Sequence, residues 1–197
     1  MALATLVAAS GFLVGGGAQA HAAECPSGDC NQEAAVWVDN QVQQTGYWCG
    51  PAATRVALSA RGFQYEQGDL ANMLGTTVDG TASIDNVTQV LDNLEHTTYY
   101  QSKWIPGEYA SDAATEQLRS DIQYDIQRDY PLVINVVGSA TDTSGGYHSY
   151  SGGHYMAVSA FKDYGNLALV DDVANGSFYW MDTKSLADWI AGRGYSA

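Results

Sequence analysis

The spacing of hydrophobic positions along this chain changes character at Pro131. Before it, apolar residues recur at helical intervals: Ile84, Val87, Leu91 and Leu94 share one face, and Leu118, Ile122 and Ile126 repeat every fourth position. The pattern predicts helices over 52–61, 67–74, from about 83 through Leu94, and over 113–128. Pro51 suits a first helical turn, and Gly62 and Gly75 suit helix stops. After Pro131, the dense apolar run Leu132-Val133-Ile134-Asn135-Val136-Val137 reads as a buried strand. A stretch rich in Gly, Ser and Tyr over 138–153 predicts a loop. Strands follow over 154–161, 167–170 and 178–181, with a hairpin turn over 162–166 and a final helix over 185–191 opened by Ser185. Helices first and an antiparallel sheet afterwards is the α+β arrangement.

The two ends differ from this body. Residues 2–20 are small, apolar and uncharged and run into Ala18-Gln19-Ala20 and Ala20-His21-Ala22, both small-x-small sites of the kind a signal peptidase cuts. The expected organisation is a signal peptide over 1–22, a tail over 23–35 and one domain over 36–197. Gly15-Gly16-Gly17 breaks the leader, and no later stretch offers the ~18 apolar residues a membrane span needs. Glu24 before Cys25 does not suit lipid attachment. The product is expected to be a secreted, extracellular monomer. Its 8 basic against 22 acidic side chains leave a net charge of −14, which repels phosphate backbones and anionic lipid, so neither nucleic acid nor membrane is an expected partner.

Exported proteins usually pair their thiols, and there are 3 cysteines here. Cys25 and Cys30 flank the turn-forming spacer Pro26-Ser27-Gly28-Asp29, which leaves Cys49 over. Cys49 sits before Pro51, at a predicted helix N-terminus, where the helix dipole favours the thiolate. A neighbouring imidazole is the second influence, and the chain has 4 histidines. His21 lies at the leader boundary, His96 follows the third helix, and His148 is inside the predicted loop. His154 opens a strand, an element that holds a ring in one orientation. The returning strand ends at Asp171-Asp172, and either carboxylate suits the task of orienting His154; consecutive strand residues face opposite ways, so only one can do so. The backbone N–H of Cys49 and a side-chain amide, from Gln43 or Gln44, are the candidate oxyanion donors. The cysteines lack paired ligand spacing, and His148 and His154 lack the i, i+4 arrangement of a helical zinc motif, so no metal or cofactor is expected.

Gln43, Trp48-Cys49-Gly50-Pro51-Ala52-Ala53, Gly153-His154-Tyr155 and an Asp at the end of the returning strand together resemble the papain-like C-39-like peptidases, which are similar to double-glycine bacteriocin leader peptidases. The resemblance extends from about Val36 to Tyr195. It implies a papain-like α+β fold, a peptide or protein substrate and a thioester intermediate. It also implies Cys49 as nucleophile, His154 as general base, an orienting Asp, and Gln43 rather than Gln44 in the oxyanion hole. Matching the hairpin without gaps favours Asp171; a slip of one residue gives Asp172. Members usually carry Asp-Pro here, whereas this chain has Asp171-Asp172-Val173. A secreted cysteine peptidase is the expected activity. The alternatives are a cell-wall amidase or endopeptidase of NlpC or CHAP type and a catalytically silent peptide-binding module.

Overall fold

The computed structural model describes residues 22–197, so the leader expected over 1–22 lies outside the described residues except for Ala22. After a short β1 (Ala34–Ala35), three helices form one lobe: α1 (Cys49–Ala60), α2 (Gln67–Met73) and α3 (Ile84–Glu95). β2 (Ser102–Trp104) and α4 (Asp112–Ile126) lead into β3 (Leu132–Thr141), β4 (Tyr147–Lys162), β5 (Leu167–Asp172) and β6 (Ser177–Asp182). The chain closes with α5 (Thr183–Ile190) and β7 (Gly194–Ser196). All pairings are antiparallel, in the order β2-β7-β3-β4-β5-β6, with β1 added against β4.

Side chains alternate across the sheet, and each face meets its own helices. Leu132, Ile134, Val136, Met156, Val158, Ala168 and Val170 pack with α4 and α5. Val133, Tyr155 and Ala157 face the other way, into a second core built with α1, α2 and α3. Burial on both faces explains why the Leu132–Val137 stretch is apolar at every position except Asn135 instead of alternating. Helices α3 and α4 begin at the serines Ser83 and Ser111, whose side chains accept from the backbone N–H of Asp85 and Ala114. The last helix starts two residues before Ser185, because the Asp182 carboxylate caps it by accepting from Ser185 N.

The predicted loop over 138–153 is largely sheet. β3 continues to Thr141 and pairs with a β4 that already begins at Tyr147, leaving only a tight turn around Asp142 to Gly146. Cross-strand pairing supplied by the neighbouring strand overrides the low β-propensity of its glycines and serines, which a local reading cannot detect. His148 is therefore a strand residue. At the N-terminal side, Cys25 and Cys30 form a disulfide with a Cα–Cα distance of 4.9 Å. The surrounding tail pairs Glu24 with Ala35 and accepts hydrogen bonds at the carbonyls of Asn31 and Cys30 from Gln123 of α4 and from Gln127 just after it.

Within the helical lobe, the start of α1 makes a close approach at Gly50 to the segment that joins α2 and α3. A Cβ placed there would lie 2.2 Å from Thr81 Oγ1 and 2.8 Å from Thr81 Cβ, and Thr81 is itself buried. Gly50→Ala is expected to destabilise the protein by ~1–3 kcal/mol through overpacking. Urea denaturation checks this, and a Thr81→Gly change in the same chain should recover much of the loss.

Candidate active site

Helix α1 begins at Cys49, and Trp48 before it makes no side-chain capping hydrogen bond. The first N–H groups of a helix have no partners within the helix, so here they stay available to an anion. Cys49 is the free thiol among the described residues and is half-buried. It forms a hydrogen bond with His154, which β4 carries opposite Val136. Between Tyr150 and His154 the β3–β4 ladder is interrupted, with Ser151, Gly152 and Gly153 set against Val137 alone. Gly153 has φ +92°, a backbone conformation that glycine adopts readily, and this swings the chain back into register at His154.

The partner of His154 is Asp172, not the Asp171 that an ungapped hairpin selects. His154 Nε2 lies 3.1 Å from Asp172 Oδ1. The cause is a second irregularity, at Ser159: Lys162 faces Leu167 and Ala160 faces Leu169, but Val158 faces Val170 and Ala157 faces Asp171. One extra residue in β4 shifts the pairing by one, and a shift of one exchanges the faces of every later side chain. Asp172 thereby joins the face of His154, Met156 and Val158, while Asp171 turns away from it.

Asp172 is fully buried and its carboxylate is held by four donors. Oδ1 takes His154 Nε2 and the backbone N–H of Ala174 at 2.9 Å; Oδ2 takes the hydroxyls of Tyr150 at 2.6 Å and Tyr179 at 3.1 Å. Burial alone would raise its pKa, but His154, Tyr150 and Ala174 outweigh burial and hold it down at about 2. An ionised carboxylate only accepts, so His154 donates from Nε2 and presents Nδ1 to the thiol. Burial pushes the His154 pKa down, and the hydrogen bonds to Asp172 and Cys49 more than reverse it. Burial pushes the Cys49 thiol up, and His154 with the backbone at Tyr155 and Gly50 brings it below its ordinary value. The two shifts favour a thiolate beside an imidazolium, and they belong to the pair.

The sequence reading missed two aromatic residues. Tyr150 stacks on the His154 ring at 4.0 Å between centroids and donates its hydroxyl to Oδ2 of the same Asp172 carboxylate. Tyr179, from β6, is stacked in turn by His148 at 3.8 Å, and His148 is paired with Asp142 at 2.9 Å. His148 is thus a support for Tyr179. The four-residue spacing from Tyr150 to His154 signals nothing unless the interruption at 151–153 is known. Gln43 donates its backbone N–H to the carbonyl of Val173, the residue after Asp172, and its carboxamide to the carbonyl of Thr45 at 2.6 Å. Gln44 is exposed, and its backbone N–H donates to Gln67 Oε1. Gln67 is wholly buried and also donates to Val42 O, so it pins the backbone on both sides of Gln43.

Residues 36–196 match the Peptidase_C39 like family. The chain belongs to that family. Two solved structures share the fold of this family member at low sequence identity. A protein from Bacillus anthracis described as a C39-like peptidase aligns with a TM-score of 0.53 at 12% identity, over 81% of this chain and 93% of its own. The peptidase domain of Streptococcus ComA, a bi-functional ABC transporter of a quorum-sensing pathway, aligns with a TM-score of 0.53 at 15% identity, over 81% and 96%. No curated protein sequence matches. The mixed helical and antiparallel architecture of this C39-like chain is accordingly the papain-like one.

The displaced Asp171 has its own consequence. It is wholly buried beside Ser159, neither carboxyl oxygen completes a hydrogen bond, and burial raises its pKa to about 8. Unfolded, the same group titrates near ~3.9. Between those values the folded chain holds a proton that the unfolded chain has released, so stability falls as pH rises from ~4 to 8. Asp171→Asn should remove this component and gain on the wild type by at most ~1.4 kcal/mol per pH unit. Urea midpoints of both proteins between about pH 5 and 8 test the sign.

Proposed function

We propose that this chain is a secreted cysteine peptidase that hydrolyses peptide bonds through Cys49, His154 and Asp172. The observation that carries the reading is the continuous hydrogen-bonded line from thiol to imidazole to a buried, ionised carboxylate, with the thiol's pKa lowered and the imidazole's raised. The disulfide and the leader-like first residues support export.

The Cys49 thiolate attacks the scissile carbonyl carbon, and the negative charge moves to the carbonyl oxygen. The Cys49 backbone N–H and the second carboxamide N–H of Gln43 are the donors suited to receive that charge. The His154 imidazolium protonates the departing amine, leaving an acyl thioester on Cys49. His154, now neutral, takes a proton from water, whose oxygen attacks the thioester; the C–S bond breaks, the acyl group leaves as a carboxylic acid, and the Cys49 thiolate beside the His154 imidazolium is restored. Asp172 stays ionised throughout and keeps Nε2 protonated, so that Nδ1 handles the proton traffic. Tyr150 and Tyr179 fix the carboxylate, and the Tyr150 ring stacks on that of His154.

Three measurements test this. Cys49→Ala should abolish both hydrolysis of mixed peptides and labelling by iodoacetamide at mildly acid pH, where ordinary thiols are protonated. Asp172→Asn should cost ~10²-fold or more in kcat, while Asp171→Asn should leave kcat unchanged; equal effects would reject the assignment of Asp172. The kcat/KM profile should be bell-shaped, with the basic limb reporting loss of the imidazolium. Asp172 raises the His154 pKa, so residual activity in Asp172→Asn should show that limb at lower pH.

A further inference from the structure

Beside the thiol is a cavity of about 170 Å³ lined by Cys49, Gly80, Thr81, Asn135, Gly153 and Arg193, among others. Its charge is unusual for this molecule. Of the chain's 8 basic side chains, Arg55, Arg61, Lys103, Arg119 and Lys184 pair with carboxylates. Arg128 and Lys162 lie over the rings of Tyr124 and Trp180. The Arg193 guanidinium alone makes no ion pair, ring contact or side-chain hydrogen bond with a described residue, although 22 acidic side chains surround it in composition. Asp79, at the exposed mouth of the same cavity, forms no ion pair with it.

Arg193 is nevertheless held in place. Its backbone N–H donates to Ile190 O and its carbonyl accepts from Ile105 N, which fixes the residue at the entry to β7. Its Nη2 lies 3.5 Å from where a Cβ of Gly153 would stand, and Asn135 Oδ1 lies at the same distance from that point. That Asn135 oxygen is buried and accepts from no described group. One wall of the cavity therefore combines an uncommitted cation having five N–H donors with an uncommitted acceptor, next to the nucleophile.

We propose that Arg193 binds a carboxylate of the substrate close to the scissile bond, with Asn135 Oδ1 accepting a peptide N–H beside it. The carboxylate belongs to an Asp or Glu side chain or to a free C-terminus; a planar guanidinium receives either in the same two-point manner. This deepens the peptidase reading and rests on it for the word substrate, but the binding site can be tested without turnover. The chain's overall charge attracts basic peptides, so this one cation works as a local selector against that background.

Acetylated octapeptides in an Ala-Gly background, with Glu or Gln at each position in turn and a free or amidated C-terminus, are titrated by fluorescence anisotropy against Cys49→Ala protein. Glu at one position is expected to bind about tenfold or more tightly than Gln. Arg193→Gln should erase the difference, and Arg193→Glu should transfer the preference to Lys at that position. If the gain follows the free C-terminus instead, the terminal carboxylate is the ligand and Arg193→Gln should erase that gain. Equal binding of all sets, binding of none, or a preference that survives Arg193→Gln overturns the proposal. Wild-type protein is then incubated with the acidic peptides that bind: binding through Arg193 without cleavage leaves the anion site standing and rejects the hydrolytic reading.

Discussion

A carboxylate wholly withdrawn from water has to find its solvation inside the protein, and the arrangement around the thiol follows from how Asp172 does so. Its four donors come from β4 on either side of the Gly-rich interruption, from the turn after β5 and from β6. Each therefore depends on the sheet being in one register. The irregularity at Ser159 sets that register, and with it decides which of two adjacent acids is ionised at neutral pH. The neighbour it excludes remains protonated in the core. Two identical side chains one residue apart end up with pKa values near 2 and 8, through surroundings alone.

The same hub links the site to its supports. His148 stacks on Tyr179, Tyr179 donates to Asp172, and Asp172 orients His154, so aromatic and polar groups of three strands bear on one imidazole. On the helical side, Gln67 holds the backbone around Gln43, while Gly50 lets α1 close onto Thr81. The thiol sits where these two assemblies meet.

Much of this was readable in the amino-acid order. The leftover cysteine before Pro51, the imidazole at a strand and the helical periodicities all depend on local patterns, and the elements carrying them lie close to where those patterns place them. What could not be read depends on pairing between distant segments. The choice of Asp172 needs the bulge at Ser159, which has no local signature, and the short strands at Ser102–Trp104 and Gly194–Ser196 exist because they pair with each other. The stretch over 138–153 looks like a loop because its propensities are weak, and it becomes strand because its neighbour is there to pair with it. Arg193 is ordinary in sequence; only the commitments of the other basic residues make it distinctive.

The attachment of the tail also bears on sulfur chemistry. The Cys25–Cys30 bridge belongs to a segment that pairs through Ala34 and Ala35 with Phe161 and Ala160, whereas the reactive sulfur contacts His154, six residues before Ala160 on the same strand. Six residues of strand correspond to ~20 Å. Exchange between the bridge and the thiolate within one folded molecule is barred by that span. The chain can thus keep an oxidised cross-link and a reduced, ionised sulfur together without either scrambling the other.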